Sequence, residues 1–492
     1  MLTPVEEAGL AGQRLAARIR RAVHQLDDGE LGAIMDAMRD EAARRRFVYY
    51  RDEKVEPIHL LPMPIGALPG QLSYVRAVTI ALHGALRRLP DLYLGDEEVR
   101  AVLRLPDEEE AWLRRCWTPA VREHNTVFGR HDAVVDFASA GWQRSLQFVE
   151  PNLNGIGGLH LVPTAEAIFA EHLLPALARR DPELTLATGQ DVRALLTQEL
   201  VDHLEAVGRP GGRICFVEPK YEGYGIDEQE ALACYLHDHF GVEVCHADPA
   251  ELELDGDEVR YGGAVIDVAY RDYAIADLLE IAAEGVDITP MRRLFETNRV
   301  VSTIAGELDQ KSCWEVLTDP VLSARHFGPE ERAMFRRHLP WTRLVSDRRT
   351  SGPDGHPVEL LAHARAEREH LVLKPNREYG GTGVTIGAAT SASDWDAAIE
   401  VAVTGAAEGA AEGRAERWVV QQRVELPVAE FPVRDAAGGI PPESFYVVFG
   451  FVPSPYGLAS LVRASQRQVV NVAQRGGMTI VAVGHPPAAR AP

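Results

Sequence analysis

A glycine-rich loop directly after a buried strand, at residues 371–384, constrains this chain more than any other stretch. The apolar run Leu371–Leu373 predicts the strand, and Pro375 ends it because proline cannot donate a hydrogen bond to a sheet ladder. The loop that follows has three glycines in four residues: Gly380, Gly381 and Gly383. Loops of this composition let backbone N–H groups approach an anion closely. The stretch therefore predicts an anion-binding loop at the end of a rigid strand.

Two charged side chains lie close to these glycines in the sequence. Lys374 places a positive charge at the end of the strand, and Glu378 lies on the loop, where a carboxylate can hold a cation against phosphates. A lysine, a carboxylate and a mobile glycine loop within ten residues indicate a nucleoside-triphosphate site. An ordinary strand followed by a glycine-rich turn is the alternative interpretation.

A second set of polar residues lies in a predicted hairpin with strands at 133–138 and 145–150. Glu150 and Asn152 share one face because side chains alternate along an extended chain. With Asp136 near the end of the paired strand, they offer three oxygen ligands of the kind that Mg²⁺ prefers. A polar turn with capping side chains is the alternative.

The overall composition argues against several classes of function. The chain has 492 residues, enough for two or three subdomains, and its net charge of −22 argues against nucleic acid or anionic membranes as partners. No apolar run approaches the roughly 20 residues that cross a bilayer, and the N-terminus lacks the pattern of a signal peptide. The five cysteines are scattered without metal-binding spacing, as expected for reduced thiols of a cytoplasmic protein.

Residues 181–299 alternate predicted strands and helices, which indicates a small doubly wound sheet. Ligands of such sheets bind beyond the carboxyl ends of the strands. Tyr270, Arg271 and Tyr273 follow one of these strands, and the Arg271 guanidinium could grip a carboxylate with two hydrogen bonds. A surface ion pair is the alternative role for Arg271.

The segment Lys374-Pro375-Asn376-Arg377-Glu378-Tyr379-Gly380-Gly381 resembles a loop of glutathione synthetases. With the Glu150-x-Asn152 pair, it makes the chain similar to the circularly permuted ATP-grasp superfamily, which contains eukaryotic-type glutathione synthetases and glutathionylspermidine synthases. The resemblance runs from about Asp132 to Gly484 and implies an α/β fold. The implied organisation is a helical N-terminal region at 1–125, an ATP-grasp core at 126–180 and 300–485, an α/β substrate subdomain at 181–299 and a disordered tail at 486–492.

The resemblance also implies roles for individual residues. The magnesium ligands would be Asp136, Glu150, Asn152 and Glu378. The ATP-binding residues would be Lys311, Lys374, Gly380, Gly381, Gly383, Gln421 and Gln422. The substrate-binding residues would be Tyr270, Arg271, Tyr273, Gly476 and Gly477. Arg463 would act with the two lysines in catalysis. The family often has an arginine two residues before its metal aspartate, where this chain has Val134, and Arg130 is the candidate to replace that arginine.

These roles imply an ATP-dependent carbon–nitrogen ligase. ATP, with two magnesium ions, would phosphorylate a carboxylate, and an amine would displace phosphate from the acyl phosphate to form an amide. The substrates would be small-molecule or peptide acids and amines, and the oligomeric state stays open, with a homodimer as one option. A small-molecule kinase and a nucleotide-binding scaffold without turnover are the alternatives.

Overall fold

The structure is a computed structural model that describes residues 3–51, 54–220, 228–412, 417–470, 472 and 476–485. The described residues form both helices and sheets, and they alternate in the middle of the chain, so the structure agrees with the α/β class. The predicted disordered tail at 486–492 lies outside the described residues. The division into subdomains stays a prediction.

The first part of the chain is mainly helical. Its elements are α1 (Pro4–His24), α2 (Asp28–Arg44), β1 (Val48–Arg51), β2 (Lys54–Pro57), β3 (Ile65–Ala67), α3 (Pro69–Leu86), α4 (Leu89–Gly95), α5 (Glu97–Val102), α6 (Asp107–Cys116) and α7 (Pro119–Glu123). Then follow β4 (Arg130–Val134), α8 (Trp142–Ser145), β5 (Gln147–Asn152), α9 (Leu161–Ile168), α10 (Leu174–Arg180) and β6 (Thr185–Ala187).

The middle of the chain forms an α/β unit. Its elements are α11 (Val192–Ala206), β7 (Ile214–Val217), α12 (Gln229–Phe240), β8 (Val244–Ala247), β9 (Glu253–Asp255), β10 (Glu258–Tyr261), β11 (Ala264–Val265), β12 (Val268–Arg271), α13 (Ile275–Ala283), α14 (Thr289–Glu296) and β13 (Val300–Val301). Strands β13, β12, β7 and β8 lie side by side in that order, and all neighbouring pairs are parallel. The middle of the chain therefore contains a parallel four-stranded sheet, and its doubly wound arrangement stays a prediction.

The last part of the chain begins with helices and ends with strands. Its elements are α15 (Cys313–Thr318), α16 (Pro320–His326), α17 (Pro329–His338), β14 (Thr342–Leu344), β15 (Arg349–Ser351), β16 (Pro357–Glu359), α18 (Leu360–Ala366), β17 (Leu371–Pro375), β18 (Thr385–Ile386), α19 (Ala392–Glu412) and β19 (Trp418–Gln422). They are followed by β20 (Val428–Pro432), β21 (Pro442–Ser454), β22 (Gly457–Ser465), β23 (Gly477–Thr479) and β24 (Val481–His485).

Two antiparallel sheets frame the region that holds most of the predicted site. One sheet has the order β14-β19-β17-β18, and the other has the order β23-β22-β21-β4-β5 with β20 paired to β21. The glycine-rich loop therefore leaves the first sheet at β17, as predicted, while the hairpin β4–β5 belongs to the second. A third sheet, β3-β24-β6, joins the N-terminal part of the chain to its C-terminal part.

The hairpin of β4 and β5 differs in register from the prediction. Asp132 lies opposite Glu150, and a β-bulge follows between Asp132 and Ala133. The connection between the strands is longer than a simple turn, because the helical turn α8 lies within it. The first strand of the hairpin therefore ends at Val134, before Asp136, and not at 138 as predicted.

One helical run is longer and more apolar than the sequence analysis expected. The segment Leu161–Arg180 spans 20 residues and is long and apolar enough, by length and composition, to cross a membrane. Within this structure 61% of its apolar stretch is buried. It therefore packs here as a helix of the protein core.

Candidate active site

A cavity of about 660 Å³ lies between the two antiparallel sheets. Lys374 and Gln421 reach it from the sheet of β17 and β19, and Asp132, Glu150 and Arg463 reach it from the sheet of β4, β5 and β22. Its remaining walls are largely aliphatic and include Val134, Val372, Ile386, Val424, Leu426 and Val448. The cavity thus has an apolar part and a charged part, as small-molecule sites commonly do.

Lys374 projects from the end of β17 into the charged part of this cavity. Its Nζ donates a hydrogen bond of 2.8 Å to Gln421 Oε1. The Gln421 amide nitrogen donates to Thr342 Oγ1 (3.0 Å) and to the Val149 carbonyl (3.2 Å), so the amide oxygen is turned toward the lysine. Burial lowers the pKa of Lys374 to about 8, although the nearby Glu150 carboxylate acts in the opposite direction.

Lys311 lies next to the same group of charges. Its side chain is only 7% exposed, and its Nζ donates to the Glu378 carbonyl at 2.6 Å and lies 3.6 Å from Glu150 Oε2. Asn376 positions this lysine, because its carbonyl accepts from Lys311 N (3.1 Å) and its Oδ1 accepts from Ser312 N (2.8 Å). Residues between Lys374 and Glu378 therefore hold the second lysine in place.

Asp132 is the centre of a buried cluster of opposite charges. Arg463 Nη2 lies 2.5 Å from one of its oxygens, and Arg130 Nε donates to the other at 2.9 Å. Burial alone would raise the pKa of Asp132, but the two guanidinium groups outweigh burial and bring the pKa down to about 2. The carboxylate is therefore ionised and fixes Arg463 in the cavity wall.

The glycine loop needs its glycines for backbone and steric reasons. Gly380, Gly381 and Gly383 all have φ near +70°, in the left-handed region that side chains disfavour. A Cβ on Gly381 would come within 2.4 Å of Val469, and one on Gly383 within 2.7 Å of Pro375. Arg377 anchors the start of the loop through an ion pair of 2.5 Å with Glu109 on α6. The loop thus lies directly against the segment after β22.

The structure brings together some of the predicted magnesium ligands. Glu150 lies in the cavity, and Asn152 shares its strand face and donates Nδ2 to the Arg130 carbonyl at 3.1 Å, which leaves Oδ1 as the end of the amide available to a cation. Glu378 is exposed, with its carbonyl beside Lys311. Asp136 was the wrong choice: it is exposed and accepts from Ala138 N (3.0 Å) as a turn residue, while Asp132 lies across from Glu150.

Arg271 does not form the predicted carboxylate grip. Its side chain is fully buried, its Nη1 lies 2.6 Å from Glu307 Oε1, and its other donors bond to carbonyls. Those carbonyls belong to Ser302 (2.8 Å), Tyr273 (2.5 Å) and Thr303 (3.2 Å). Every donor group therefore has an internal partner, and the assignment of Arg271 to substrate is wrong. Tyr270 and Tyr273 are buried beside it at the end of β12.

Gly476 and Gly477, which the resemblance assigns to substrate binding, lie at the start of a strand. Gly477 begins β23 and pairs with Ala464, next to Arg463, and a Cβ on it would meet Leu61 at 2.9 Å. Its small size therefore serves packing. Gly476 is buried just before it, while Arg475 lies outside the described residues.

Sequence reasoning missed Asp132, the positioning roles of Asn376 and Thr342, and the true place of Arg130. A signal for Asp132 was available in the sequence Arg130-His131-Asp132. The family often has an arginine two residues before an aspartate, and Arg130 and Asp132 have this spacing. With Asp132 in that position, no arginine is needed at position 134.

Comparisons with known proteins bear on the fold. Comparison of the sequence with known protein families gives no match, and comparison with curated proteins gives none either. Among solved structures, the chain is similar to a glutathione synthetase-like effector from Globodera pallida, determined in its apo form. The TM-score is 0.59 at 10% sequence identity, and the match covers 92% of this chain and 98% of the other. The chain therefore shares its overall fold with a glutathione synthetase-like protein.

Proposed function

We propose that this protein is an ATP- and magnesium-dependent carboxylate–amine ligase with the circularly permuted ATP-grasp fold. One observation carries the proposal: Lys374 at the end of β17 and Lys311 in the turn before α15 both lie near Glu150, which lines a cavity between two antiparallel sheets. Two cations and a carboxylate at the end of an apolar slot suit a nucleoside triphosphate with its metal ion.

The shape of the cavity supports nucleotide as the occupant. Its volume of about 660 Å³ falls within the usual range for small-molecule and cofactor sites. Val372 and Ile386 on one sheet and Val134 and Val448 on the other can enclose a flat, weakly polar ring. A base in the apolar part would direct its phosphates toward Lys374 and the glycine loop.

The oxygen ligands fit magnesium. Glu150 and Asn152 share a strand face, and Glu378 belongs to the loop that would cover the phosphates. Carboxylate and amide oxygens are the ligands that Mg²⁺ accepts, usually with water and phosphate oxygens completing its octahedron. When bound, the metal would withdraw charge from the phosphates.

The chain's own residues would then stabilise charge and exclude water. A substrate carboxylate oxygen attacks the γ-phosphorus and ADP leaves. An amine nitrogen next attacks the acyl carbon, and phosphate and one proton are released. Lys374 and Arg463 line the cavity, and Lys311 lies beside Glu150. These three cations would stabilise the negative charge that builds up on the transferred group, and the loop of Gly380–Gly383 would shield the acyl phosphate from hydrolysis.

The proposal is tested by ADP release from the full-length protein with a mixture of amino acids and peptides as acids and amines. We expect release that requires both magnesium and a carboxylate. Hydroxylamine should trap the acyl phosphate as a hydroxamate, detected by mass spectrometry. Lys374→Met should abolish release, whereas Lys54→Met, at an exposed position of β2, should leave it unchanged.

The other functions give different results in the same assay. A kinase acting on a hydroxyl group would release ADP without hydroxamate. A nucleotide-binding scaffold would bind ATP with magnesium and release no ADP. Release at the full rate without any carboxylate would contradict the ligase proposal.

A further inference from the structure

Two cysteines face each other across neighbouring strands of the parallel sheet in the middle unit. Cys215 lies on β7 and Cys245 on β8, and the strand register pairs these two residues directly. Neighbouring strands lie about 4.8 Å apart, within the Cα separations of about 4.4–6.8 Å that a disulfide bond spans. Both cysteines are free thiols in this structure. The backbone therefore holds two thiols at a distance that meets the requirement for a disulfide bond.

The side chains of the two cysteines lie on the same face of the sheet. Both belong to one core cluster, whereas the adjacent residues Phe216 and Val244 pack in a second cluster on the opposite face. Cys245 Sγ donates to the carbonyl oxygen of Ile214, the residue before Cys215 on β7, at 3.5 Å. The side chain of Cys245 thus reaches across the gap between the strands toward β7.

The two thiols differ in exposure and in acidity. Cys215 is fully buried, whereas Cys245 is only half-buried on β8, which is the edge strand. Interaction with Cys245 and then burial raise the pKa of Cys215. Interaction with Cys215 lowers the pKa of Cys245; burial opposes this effect, and the Arg213 and Lys220 charges reinforce it. Because the thiolate is the reactive form of cysteine, Cys245 is the thiol that a small oxidant would attack first.

The other three cysteines lie on helices. Cys116 is on α6, Cys234 on α12 and Cys313 on α15. Cys116 and Cys313 are buried, and burial raises the pKa of both thiols, whereas Cys234 is exposed. Within the part of the chain that the structure describes, β7 and β8 thus hold the one pair of cysteines at directly paired strand positions.

We propose that Cys215 and Cys245 form a reversible modification site, in which hydrogen peroxide converts the two thiols to a disulfide bond. The Cys245 thiolate attacks one peroxide oxygen, the O–O bond breaks, and Cys245 becomes a sulfenic acid while hydroxide leaves. The Cys215 sulfur then attacks the sulfenic sulfur, the S–O bond breaks, and the oxygen leaves as water with the Cys215 proton. The hydroxide takes up the proton that Cys245 gave up. The two thiols are thereby oxidised by two electrons, and the peroxide is reduced to two molecules of water.

The bond would join the edge strand β8 to the central strand β7. Helix α12 lies in the connection between these strands, so the bond closes a loop of about 30 residues around it. A closed loop restricts the unfolded chain, so the oxidised protein should unfold at a higher urea concentration than the reduced protein. No described residue that lines the cavity between the two antiparallel sheets belongs to β7 or β8. The modification site therefore goes beyond the proposed function and does not depend on it.

The experiment treats the reduced full-length protein with hydrogen peroxide, blocks the remaining thiols with iodoacetamide and maps the peptides by mass spectrometry without reductant. We expect a cross-linked pair of peptides that contains Cys215 and Cys245 and that dithiothreitol separates. The urea midpoint of unfolding should rise on oxidation and return after dithiothreitol. Cys215→Ala should form no cross-link and should leave a sulfenic acid at Cys245 that dimedone traps. Cys245→Ala should form no cross-link and no dimedone adduct at Cys215.

Cys234→Ala is the matched control, since it makes the same change at an exposed cysteine of α12 in the same unit. It should keep both the cross-link and the shift of the urea midpoint. If Cys215→Ala does not fold by circular dichroism, Cys245→Ala decides the question, because it must also lose the cross-link. Oxidation of Cys245 to a sulfinic acid without a cross-link, a cross-link to another cysteine in place of this one, or no oxidation by peroxide would overturn the proposal.

Discussion

Asp132 and Glu150 lie opposite each other on β4 and β5, and both side chains enter the same cavity. Asp132 also accepts from Arg463 and Arg130, so it fixes two guanidinium groups at the charged end. Asp136, four residues further along the chain, is exposed on a turn. The aspartate that matters for this site is therefore Asp132.

Asp132→Asn should lower ADP release by about tenfold to a hundredfold, because hydrogen bonds between charged groups contribute roughly 1.5–3 kcal/mol each. Asp136→Asn is the matched control and should keep nearly full activity. Steady-state ADP release with saturating ATP measures both, and circular dichroism checks folding. Loss of activity in Asp136→Asn with normal activity in Asp132→Asn would reverse this assignment.

Loss of the Arg271–Glu307 ion pair should lower the stability of the fold and leave substrate binding nearly unchanged. Both side chains are fully buried at a separation of 2.6 Å. Removing one partner leaves an uncompensated buried charge, which typically costs about 3–5 kcal/mol. Arg271→Met should therefore lower the free energy of unfolding by that amount, measured by urea denaturation, and leave the KM for the carboxylate substrate of the surviving folded enzyme nearly unchanged.

The double variant Arg271→Met/Glu307→Leu supplies the control. It removes both charges and should recover part of the lost stability, since an apolar pair can replace a buried ion pair. Normal stability of Arg271→Met together with a raised KM for the carboxylate substrate would instead show that Arg271 contacts substrate.

Particular residues show how far sequence reasoning reached. The strand of Leu371–Pro375 and the glycine loop were predictable because strand, lysine and glycines are contiguous. The role of Lys311 could be predicted only from the family resemblance. Its contacts with Glu150 and Glu378 join segments that are far apart in the sequence, so no local pattern indicates them.

The errors have physical causes as well. The sequence predicts Asp136 because it lies near the end of the predicted strand 133–138, whereas the observed strand ends at Val134 and has a bulge between Asp132 and Ala133. Arg271 was misread because its partner, Glu307, lies beyond two helices and a strand. Neither feature leaves a periodic pattern in the sequence.

A side chain at Gly381 should distort the glycine loop and weaken ATP binding. Gly381 combines φ of +77° with a Cβ position 2.4 Å from Val469. Left-handed backbone costs a side chain roughly 1–2 kcal/mol, and the contact adds to that. Gly381→Ala should therefore raise the KM for ATP about tenfold or more in steady-state kinetics. Gly70→Ala, where no atom of the described residues lies within 4 Å of the new Cβ, should behave like the unmodified protein. Normal ATP kinetics in Gly381→Ala would show that the loop tolerates the change.

The lowered pKa of Lys374 should make ATP binding depend on pH. Burial lowers its pKa to about 8, below the value of about 10.4 expected in an unfolded chain. The unfolded state thus holds more protons between these values, so the cost of burying this charged lysine is relieved and the stability of the fold rises as pH rises from about 8 to 10. Phosphates favour the charged lysine, so ATP binding should take up a proton near pH 8.5 and weaken above it.

Calorimetry in two buffers of different ionisation enthalpy measures this proton uptake. The observed enthalpies of ATP binding should differ between the buffers for the unmodified protein and agree for Lys374→Met. Equal enthalpies for the unmodified protein would mean that Lys374 is already charged before ATP binds.

The last prediction concerns the choice of lysine at the phosphate end. Only four of the 51 basic residues are lysine, and two of the four are Lys311 and Lys374. Within the part of the chain that the structure describes, Lys374 Nζ donates to one acceptor, Gln421, and Lys311 Nζ lies between Glu150 and Glu378. A planar guanidinium is broader and prefers paired acceptors. Lys311→Arg and Lys374→Arg should therefore each cut turnover at least about a hundredfold, or roughly 2.7 kcal/mol.

Lys54→Arg tests whether the effect belongs to the site. Lys54 is exposed on β2, so this variant makes the same chemical change without crowding any neighbour and should keep full turnover. ADP release at saturating ATP compares the three variants, with circular dichroism to confirm that each is folded. Near-normal turnover in both Lys311→Arg and Lys374→Arg would show that the phosphate end needs only positive charge. In that case the slim shape of the ammonium group would not explain why lysine stands at these two positions in a chain that otherwise uses arginine.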